Sequence, residues 1–572
     1  MKLKNNILTI GLLGMMGLGM TSCSDFLTIE PLNTIVQDKF WNNESDVENV
    51  VMGCYSAMQS QTVIDRMIIW GESRSDDMIG GTNISNNENL SNIFKENINA
   101  RNGYTSWGEF YDIINRCNLV LLYAPEVAEK DPNYSENDLN ATRAEVSAIR
   151  DLMYFYLIRT FRDVPYTTEA FVDDSQKLDL PATSFDVILD DLIKDLESVR
   201  PYAVRNYPET KPLYQRGRIT RDCIDAMLCD MYLWKKDYAN AVKYADYVLE
   251  SKKAEFNGES STSKLFEGYP LLSDKSNGTS SSNLYGTTYN TIFGTGASKE
   301  SIFELIYSSD ETMLSNGSVS YLYGNNTSGS YPGIIKPSDF IASDVTDAQF
   351  NVFRDKYDSR YYSSITQVAS TTYGIAKYAN HSVNIDASES TITSKGVLYN
   401  SSNCYAPWII YRTADVMLMK AEALVQMVNS DAETNEELTN NQTLLKQALE
   451  LVNVLEKRSS MTSNYTDLSY NDYASKNEME NLILLERQRE LMFEGKRWYD
   501  LVRKSLRDGN TNFLVSKVQQ KGSDAGVSAS KFAKLDGIFW PYNNDELKVN
   551  GNLTQNPAFG SGSSSSYEST KK

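Results

Sequence analysis

The sequence is poor in the residues that most enzymes and nucleic-acid-binding proteins require. It holds one histidine, His381, in the Ser/Asn-rich stretch YANHSVN, so a reaction that needs an imidazole would have to use this residue. Lys and Arg number 55 against 75 Asp and Glu, and the net charge of −20 argues against binding to nucleic-acid phosphates. We expect His381 to lie in a surface loop and predict neither His-dependent catalysis nor nucleic-acid binding.

Cysteines are few as well, and their spacing predicts no zinc site or disulfide framework. Beyond Cys23 there are five, an odd number without a C-x-x-C pair, and we expect them to be small core side chains. The Asp- and Asn-rich loops could supply oxygen ligands for calcium, but no twelve-residue EF-hand pattern occurs. We therefore predict no metal site and no cofactor, with only structural calcium left open.

Long hydrophobic runs are absent apart from one at the N-terminus. Lys2 and Lys4 precede an apolar run from Ile7 to Met20, which stops just before Cys23. This arrangement is typical of a secretory signal peptide, and the Cys at the cut resembles a lipoprotein lipobox. We predict cleavage after residue 22 and acylation of Cys23, which would anchor the protein to a membrane without a spanning helix. The alternative is that Cys23 is only the first mature cysteine of a secreted protein.

Apolar residues recur at helical spacing over much of the remaining chain. A first helix is predicted over residues 45–60 with Ser45 as its N-cap, followed by helices over 105–124 and 138–162. Two helix pairs follow, over residues 218–250 and over 411–426 with 443–458, in which large and small residues interlock as in tetratricopeptide repeats. Such repeats stack into a solenoid, so the sequence predicts a mainly α, tetratricopeptide-like scaffold.

Residues 255–407 differ in character from the helical segments around them. Ser, Thr, Asn, Gly and Tyr dominate, and one strand is convincing, at residues 300–309. A long non-helical stretch inside a helical array is typical of a functional insertion, so we predict a large irregular, partly β, ligand-binding excursion. We divide the chain into a signal peptide (1–22), an N-terminal helical part (23–254), this excursion (255–407) and a C-terminal helical part with a disordered tail (408–572), forming one compact domain.

Two segments carry candidate ligand-binding residues. In WGESRSDDMIGG, the flat ring of Trp70 stands beside the hydrogen-bonding groups of Arg74, Asp76 and Asp77, a combination that can pack on and bind a sugar. In the excursion, tyrosines lie among Gly, Asn and Ser, as in adaptable binding surfaces. These tyrosines are Tyr285, Tyr289, Tyr321, Tyr323 and Tyr331.

The segment LERQRELMFEGKRWYDLVR, residues 485–503, has the charge density of a catalytic site. A glycosidase needs two carboxyl groups, one with a raised pKa. Here each carboxylate has an Arg three or four residues away, which lowers the pKa and favours a permanently ionised network. We predict a structural role, no catalytic residue, and a first helix that ends at Gly495. The tryptophans Trp41, Trp234 and Trp498 and the aromatics of WPYNNDEL are expected in the core.

Several segments together resemble the SusD/RagB family of outer-membrane nutrient-binding lipoproteins. They are CSDFLTIEP, FWNNESDVENVVMGCY, WGEFYDIINRCN, AEVSAIRDLMYFYLIRTFRDVPY, GRITRDCIDAMLCDMYLWKKDYANAVKYADYVL, SKESIFELIYSS, YRTADVMLMKAEAL, LERQRELMFEGKRWYDLVR and FWPYNNDELKVNGNLTQNPAF, in the family's order. The resemblance implies a tetratricopeptide-like, SusD-like fold, a lipid-anchored location on the outer-membrane surface, and a SusC-like TonB-dependent transporter as partner.

The residues and the resemblance lead us to expect a non-enzymatic glycan-binding lipoprotein. Three alternatives remain open: a peptide-binding protein of the same architecture, a hydrolase, and a tetratricopeptide scaffold that binds only proteins. The sequence identifies neither the glycan nor its linkage, nor the number of binding sites or the oligomeric state of the transporter complex.

Overall fold

The computed structural model describes residues 40–173, 175–258, 264–275, 283–308, 315–324, 333–343, 350–369, 372–388, 392–400, 403–522 and 525–560. The long helices of this part of the chain are α1 (Glu44–Met58), α2 (Gln61–Glu72), α3 (Gly108–Lys130), α4 (Glu136–Phe161), α5 (Phe185–Val199), α6 (Arg221–Lys235), α7 (Tyr238–Phe256), α8 (Thr413–Gln426), α9 (Asn435–Ser459), α10 (Lys476–Leu491) and α11 (Arg497–Asp508). Shorter helices are Glu88–Phe94, Tyr214–Gly217, Thr287–Tyr289, Gly317–Leu322, Asp339–Ala342, Ser359–Ser364, Asn512–Val518, Ala525–Lys531 and Asn544–Val549.

The strands are short and pair only in small antiparallel sheets. They are β1 (Met78–Gly80), β2 (Val164–Pro165), β3 (Ala182–Thr183), β4 (Leu284–Tyr285), β5 (Ser301–Leu305), β6 (Ile335–Pro337), β7 (Ile365–Ala369), β8 (Thr372–Ile375), β9 (Asn380–Asp386), β10 (Thr393–Leu398) and β11 (Trp408–Arg412). The sheets are β1–β6, β2–β3, β4–β9–β10, β5–β11 and β7–β8. Four of the five sheets include strands from the excursion, as its predicted partly β character requires.

The helix starts follow from local side-chain caps. At α1 the Asn43 side chain accepts a hydrogen bond from the backbone N–H of Asp46, and the Asp46 carboxylate accepts one from the N–H of Asn43. This reciprocal capping box satisfies two otherwise orphaned donors, so Asn43 caps the helix rather than the predicted Ser45. The same box starts α4, α9 and α10, at Ser135, Thr434 and Ser475.

The long helices pack in an array that follows the order of the chain. Helix α1 packs on α3, α3 on α4, α4 on α5, α5 on α6, α6 on α7, α7 on α8, and α8 on α9 and α10. The two helix pairs predicted from the sequence are confirmed, as α6 with α7 and as α8 with α9. Lys236, at φ +65°, closes the turn between α6 and α7, and the fully buried Ala241 and Ala245 allow close helix contact. The fold is therefore mainly α and tetratricopeptide-like.

The excursion is built into this array instead of standing apart from it. Strand β5 is buried along its whole length and pairs with β11, which leads directly into α8. His381 lies on β9 and is only partly exposed, with its ring 5.7 Å from that of Tyr399, so the prediction of a surface loop is wrong. His381 is partly covered because it belongs to β9, a strand whose side chains alternate between the interior and the surface.

The predicted burial of four tryptophans and of the cysteines is confirmed. Trp41, Trp234, Trp498 and Trp540 are each no more than 6% exposed. The cysteines of the described chain are buried and unbonded; they are Cys54, Cys117, Cys223, Cys229 and Cys404. In the described ranges we find no helix with the length and hydrophobicity to cross a membrane. Of the predicted disordered tail, residues 559–572, the structure describes Phe559, which packs partly buried against the core, and Gly560; residues 561–572 lie outside the described residues.

Candidate functional site

Trp70 is buried inside the helical array and offers no surface to a ligand. Its ring is 0% exposed and packs on Phe110 and Phe161, with ring centroids 4.8 and 5.3 Å away. The indole N–H donates a hydrogen bond to the backbone carbonyl of Tyr104, at 2.8 Å. The expectation that Trp70 forms a sugar-stacking surface is therefore corrected: helix α2 turns the ring inward, and the polar edge of the ring holds a neighbouring loop.

The polar residues after Trp70 are enclosed too. The Arg74 guanidinium donates to the carbonyls of Gly537 and Ile538 and lies 4.6 Å from the centroid of the Trp498 ring. Asp76 pairs with Arg497 at 2.8 Å, and Asp77 accepts a hydrogen bond from the Gln488 side chain at 2.7 Å. All three predicted residues are at most 2% exposed, so they tie α2 to the C-terminal helices and cannot contact an external ligand.

The two neighbouring aspartates have pKa values shifted in opposite directions. It raises the pKa of Asp77 to about 6, with the adjacent Asp76 charge adding to the effect. For Asp76, burial acts in the same direction, but the Arg497 guanidinium overcomes it and lowers the pKa below its ordinary value. Asp76 is thus a stable ion-pair partner of Arg497.

Three of the five candidate tyrosines in the excursion are core residues. Tyr285, Tyr289 and Tyr323 are at most 5% exposed. Their hydroxyls donate to the backbone carbonyls of Met461, Asn380 and Phe493, at 3.2, 2.8 and 2.8 Å respectively. The expectation of wet, ligand-facing rings is corrected for these three, because remote carbonyls satisfy the hydroxyls and let the rings be buried.

Tyr321 is the candidate tyrosine that the structure leaves accessible. Its side chain is 40% exposed, on the short helix Gly317–Leu322. Tyr331 and the predicted lipidation site, Cys23, lie outside the described residues.

The structure brings the loop after Trp70 against the segment that carries Tyr321. Strand β1 pairs with β6 in the register Met78 to Pro337, and the pairing continues where the Gly81 N–H donates to the Ile334 carbonyl at 2.8 Å. Beyond this sheet, the Asn87 side-chain amide donates to the Tyr321 hydroxyl at 3.1 Å. The two segments that the sequence indicated thus meet, but through residues other than most of those predicted.

We define the Asn87–Tyr321 surface as Asn87, Tyr104 and Tyr321. Asn87 is fixed at both ends of its amide, because its oxygen accepts the N–H of Leu90 and caps the helix Glu88–Phe94. The Asn87 side chain is also a hydrogen-bonding neighbour of the Tyr104 hydroxyl. The surrounding loop exposes small polar side chains to solvent, namely Thr82, Asn83, Ser85, Asn86 and Asn89.

Tyr104 is positioned by its backbone, which leaves its partly exposed ring at the surface. The Asn102 side chain accepts from the Tyr104 N–H at 3.0 Å, and the indole of Trp70 donates to its carbonyl. Arg66 adds a hydrogen bond to the carbonyl of the preceding residue, Gly103, at 3.3 Å. Burial raises the pKa of the Tyr104 phenol, so it stays a neutral donor and acceptor.

Asp65 lies beneath this surface. It is 9% exposed, and its Oδ1 atom has no hydrogen-bond partner within the part of the chain that the structure describes. Burial raises the pKa of Asp65 to about 6, although the Ser318 hydroxyl and the Arg66 guanidinium both favour the ionised form. A buried hydrogen-bond acceptor is therefore held near the Tyr104 phenol with part of its capacity unused.

The charged segment predicted to be structural is a buried ion-pair network. Glu490 accepts hydrogen bonds from Arg360, Arg412 and Arg458, at 3.0 and 2.7 Å for the first two. Although burial opposes it, these guanidiniums, Arg458 foremost, hold the pKa of Glu490 well below its ordinary value. The carboxylate is thus an ionised partner for three cations, and the predicted structural role is confirmed.

The pairing in this network is mostly not the local pairing that the sequence suggested. Arg360 comes from the excursion, Arg412 from β11 and Arg458 from α9, whereas Arg489 with Glu486, at 2.9 Å, is a pair three residues apart. The first helix also ends at Leu491 rather than at the predicted Gly495. The turn between α10 and α11 is held by Glu72, whose carboxylate accepts the N–H groups of Phe493 and Lys496.

Sequence reasoning missed Asp65, Asn87 and Tyr104. Asn87 carried a usable signal, since Asn directly before ENLSNIF matches a helix N-cap. Asp65 and Tyr104 had no such signal because their roles depend on contacts between segments. As for metals, the part of the chain that the structure describes contains no cluster of three or more His, Cys, Asp or Glu side chains suited to hold an ion.

Comparison with known proteins gives consistent results. The family model described as the SusD family matches residues 243–559. SusD-like protein P38 of Formosa agariphila is 25% identical over 585 residues, which cover 97% of this chain and 99% of the relative. A solved SusD superfamily protein from Bacteroides thetaiotaomicron is 20% identical and covers 91% of this chain and 99% of its own, with a TM-score of 0.63. A solved laminarin-binding SusD-like protein is 20% identical and covers 90% and 100%, with a TM-score of 0.61.

Proposed function

Because the chain belongs to the SusD family, we propose that it is a cell-surface lipoprotein that captures oligo- or polysaccharide and delivers it, uncleaved, to a SusC-like TonB-dependent transporter. A laminarin-binding SusD-like protein shares its fold, which supports a carbohydrate as the ligand. Peptide capture by the same architecture is the competing outcome of the binding test below.

The Asn87–Tyr321 surface is the observation that carries this proposal. It combines two tyrosine rings with an oriented amide, surrounded by exposed Asn, Ser and Thr side chains. The C–H faces of a sugar pack on aromatic rings, while its hydroxyls exchange hydrogen bonds with amides and phenols. Because the surface is open, it suits one stretch of a longer glycan and not a small molecule that must be enclosed.

The proposed anchor explains how modest contacts can suffice. Acylation of Cys23 would confine the protein to the membrane surface, and binding next to a transporter raises the effective concentration of the glycan at its mouth. Closure of this protein over the transporter would then commit the glycan to uptake. Replacement of Cys23 by Ser should release the protein from the membrane fraction, and retention of that variant would contradict the anchor.

Isothermal titration with a glycan panel that includes laminarin oligosaccharides, and with an oligopeptide panel, tests the ligand class. One aromatic contact contributes about 0.5–1.5 kcal/mol, so Tyr321→Ala should weaken glycan binding about two- to twelvefold. Tyr202→Ala is the matched control, because Tyr202 is 56% exposed at a different place in the fold. Binding of peptides but of no glycan would show that the ligand is a peptide. Equal glycan affinity of the two variants would show that Tyr321 is not part of the binding site.

The absence of catalysis has its own test. Incubation of the purified protein with the glycans that it binds should produce no new reducing ends. Steady release of reducing ends that a single carboxylate substitution abolishes would refute the proposed binding-only role.

A further inference from the structure

Two buried cysteines from different helices touch each other. Cys54 lies on α1 and Cys117 on α3, their Sγ atoms are 3.8 Å apart, and both residues are 0% exposed. Closing this contact to the roughly 2.05 Å of a disulfide brings the sulfurs about 1.8 Å closer, which small side-chain rotations can supply. We propose that Cys54 and Cys117 form a disulfide in the exported protein.

The helices that carry the pair are already fixed relative to each other. The backbone N–H of Glu44, at the start of α1, donates to the carboxylate of Asp131, just beyond α3, at 3.0 Å. The Trp41 ring stacks on Tyr123 of α3, with centroids 5.2 Å apart. The start of α1 thus lies at the end of α3, and the antiparallel packing brings the two thiols together some way along the helices. The bond adds a covalent link to contacts that the fold makes anyway.

Two of the remaining cysteines of the described chain serve as internal controls. Cys223 and Cys229 lie six residues apart on α6, which separates them by about 9 Å along the helix axis, too far for a bridge. Oxidation should therefore not link Cys223 to Cys229.

The inference rests on the proposed export of the chain, because disulfides persist in oxidising compartments. The oxidant is itself a disulfide. One cysteine thiolate attacks it, forming a mixed disulfide and releasing one thiolate; the second cysteine thiolate then attacks the mixed disulfide and releases the other. The two protons lost by the cysteines pass to the two released thiolates, so the oxidant is reduced to two thiols.

Burial determines when this exchange occurs. It raises the pKa of the Cys117 thiol well above its ordinary value, and the reactive thiolate is disfavoured in the folded chain. The bond forms while α1 and α3 can still separate, and the closed fold then shields it from reductants. Native oxidised protein should resist dithiothreitol that reduces the same bond in denaturant.

The test uses the mature chain, refolded from denaturant in a buffer of oxidised and reduced glutathione. Free thiols are alkylated, and the protein is digested without reductant and analysed by mass spectrometry. We expect the peptides of Cys54 and Cys117 to be joined, two hydrogens lighter than their sum, and to separate on reduction, while Cys223 and Cys229 are alkylated. The oxidised protein should also melt at a higher temperature than the reduced one, a difference absent from Cys117→Ala.

Separate alkylation of Cys54 and Cys117 after oxidative refolding, or their linkage to other cysteines, would overturn the inference. Because this readout is made on the wild-type chain, it does not depend on whether a cysteine variant folds. Glycan titration of the same samples keeps the two proposals apart. Linked cysteines without glycan binding would count against the proposed function alone, and glycan binding with free cysteines against the disulfide alone.

Discussion

Replacement of Glu490 by Gln should destabilise the protein more than replacement of almost any other surface or core carboxylate. Glu490 is 3% exposed and neutralises Arg360, Arg412 and Arg458, whose side chains are 10%, 2% and 3% exposed. Glutamine keeps the size of the side chain but removes its charge, which leaves buried guanidiniums without full compensation. Breaking a buried pair in this way costs about 3–5 kcal/mol, because the desolvated partner charge remains.

The structure supplies a matched control. Asp112 and Arg116 form an ion pair of 2.9 Å on α3, but their side chains are 57% and 44% exposed. A solvent-exposed pair four residues apart contributes about 0.3–0.5 kcal/mol, so Asp112→Asn should hardly change the free energy of unfolding. Both substitutions convert a carboxylate to its amide, and they differ in burial and in the number of partners.

Urea denaturation followed by far-UV circular dichroism measures both variants against the wild type. A shift of several kcal/mol for Glu490→Gln, beside almost none for Asp112→Asn, would support the role of the network in joining the excursion, β11 and α9. If Glu490→Gln unfolds at the same urea concentration as Asp112→Asn, the reasoning from burial and charge is refuted.

Three further predictions concern pH, backbone packing and metal ions. Because the pKa of Asp65 is raised from 3.8 to about 6 in the folded state, protonated Asp65 contributes on the order of 2–3 kcal/mol to the free energy of unfolding below pH 4, and this contribution is lost as the pH rises through 6. In Asp65→Asn, the free energy of unfolding measured between pH 4 and 6 should lack this pH-dependent component. A pH profile equal to that of the wild type would contradict the prediction. Gly71→Ala should lower the melting temperature, since the new Cβ would lie 1.8 Å from the Gly495 carbonyl oxygen, whereas Gly108→Ala, with no atom within 4 Å, should be neutral or stabilising; similar melting curves would refute this. Dialysis against EDTA should leave glycan affinity and melting temperature unchanged, and a loss restored by calcium would reveal a cation site.

The helical scaffold could be predicted because its signals are local. The apolar stripes of α6 and α7 and the short turn between them are legible in residues 218–250, and the structure has the pair at Arg221–Lys235 and Tyr238–Phe256. The start of α1 was predicted wrongly, two residues late. At α1, Ser45 and Asn43 both fit the N-cap preference, and only the reciprocal bond with Asp46 decides between them.

The candidate site could be predicted only as a pair of segments. Nothing in the residues around Tyr289 or Tyr323 announces the distant carbonyls of Asn380 and Phe493 that allow these rings to be buried. Tyr321, two residues before Tyr323, has the same local composition and is exposed. Long-range hydrogen bonds decide which tyrosine faces water, and no alternation or spacing in a single chain encodes them.

The hydrogen bond from Trp70 to the Tyr104 carbonyl has an evolutionary consequence. It fixes the segment at Tyr104 through a main-chain oxygen, so a change of the Tyr104 side chain leaves this contact with the buried framework in place. Selection can therefore vary the side chain at position 104 while the buried contact of Trp70 stays the same.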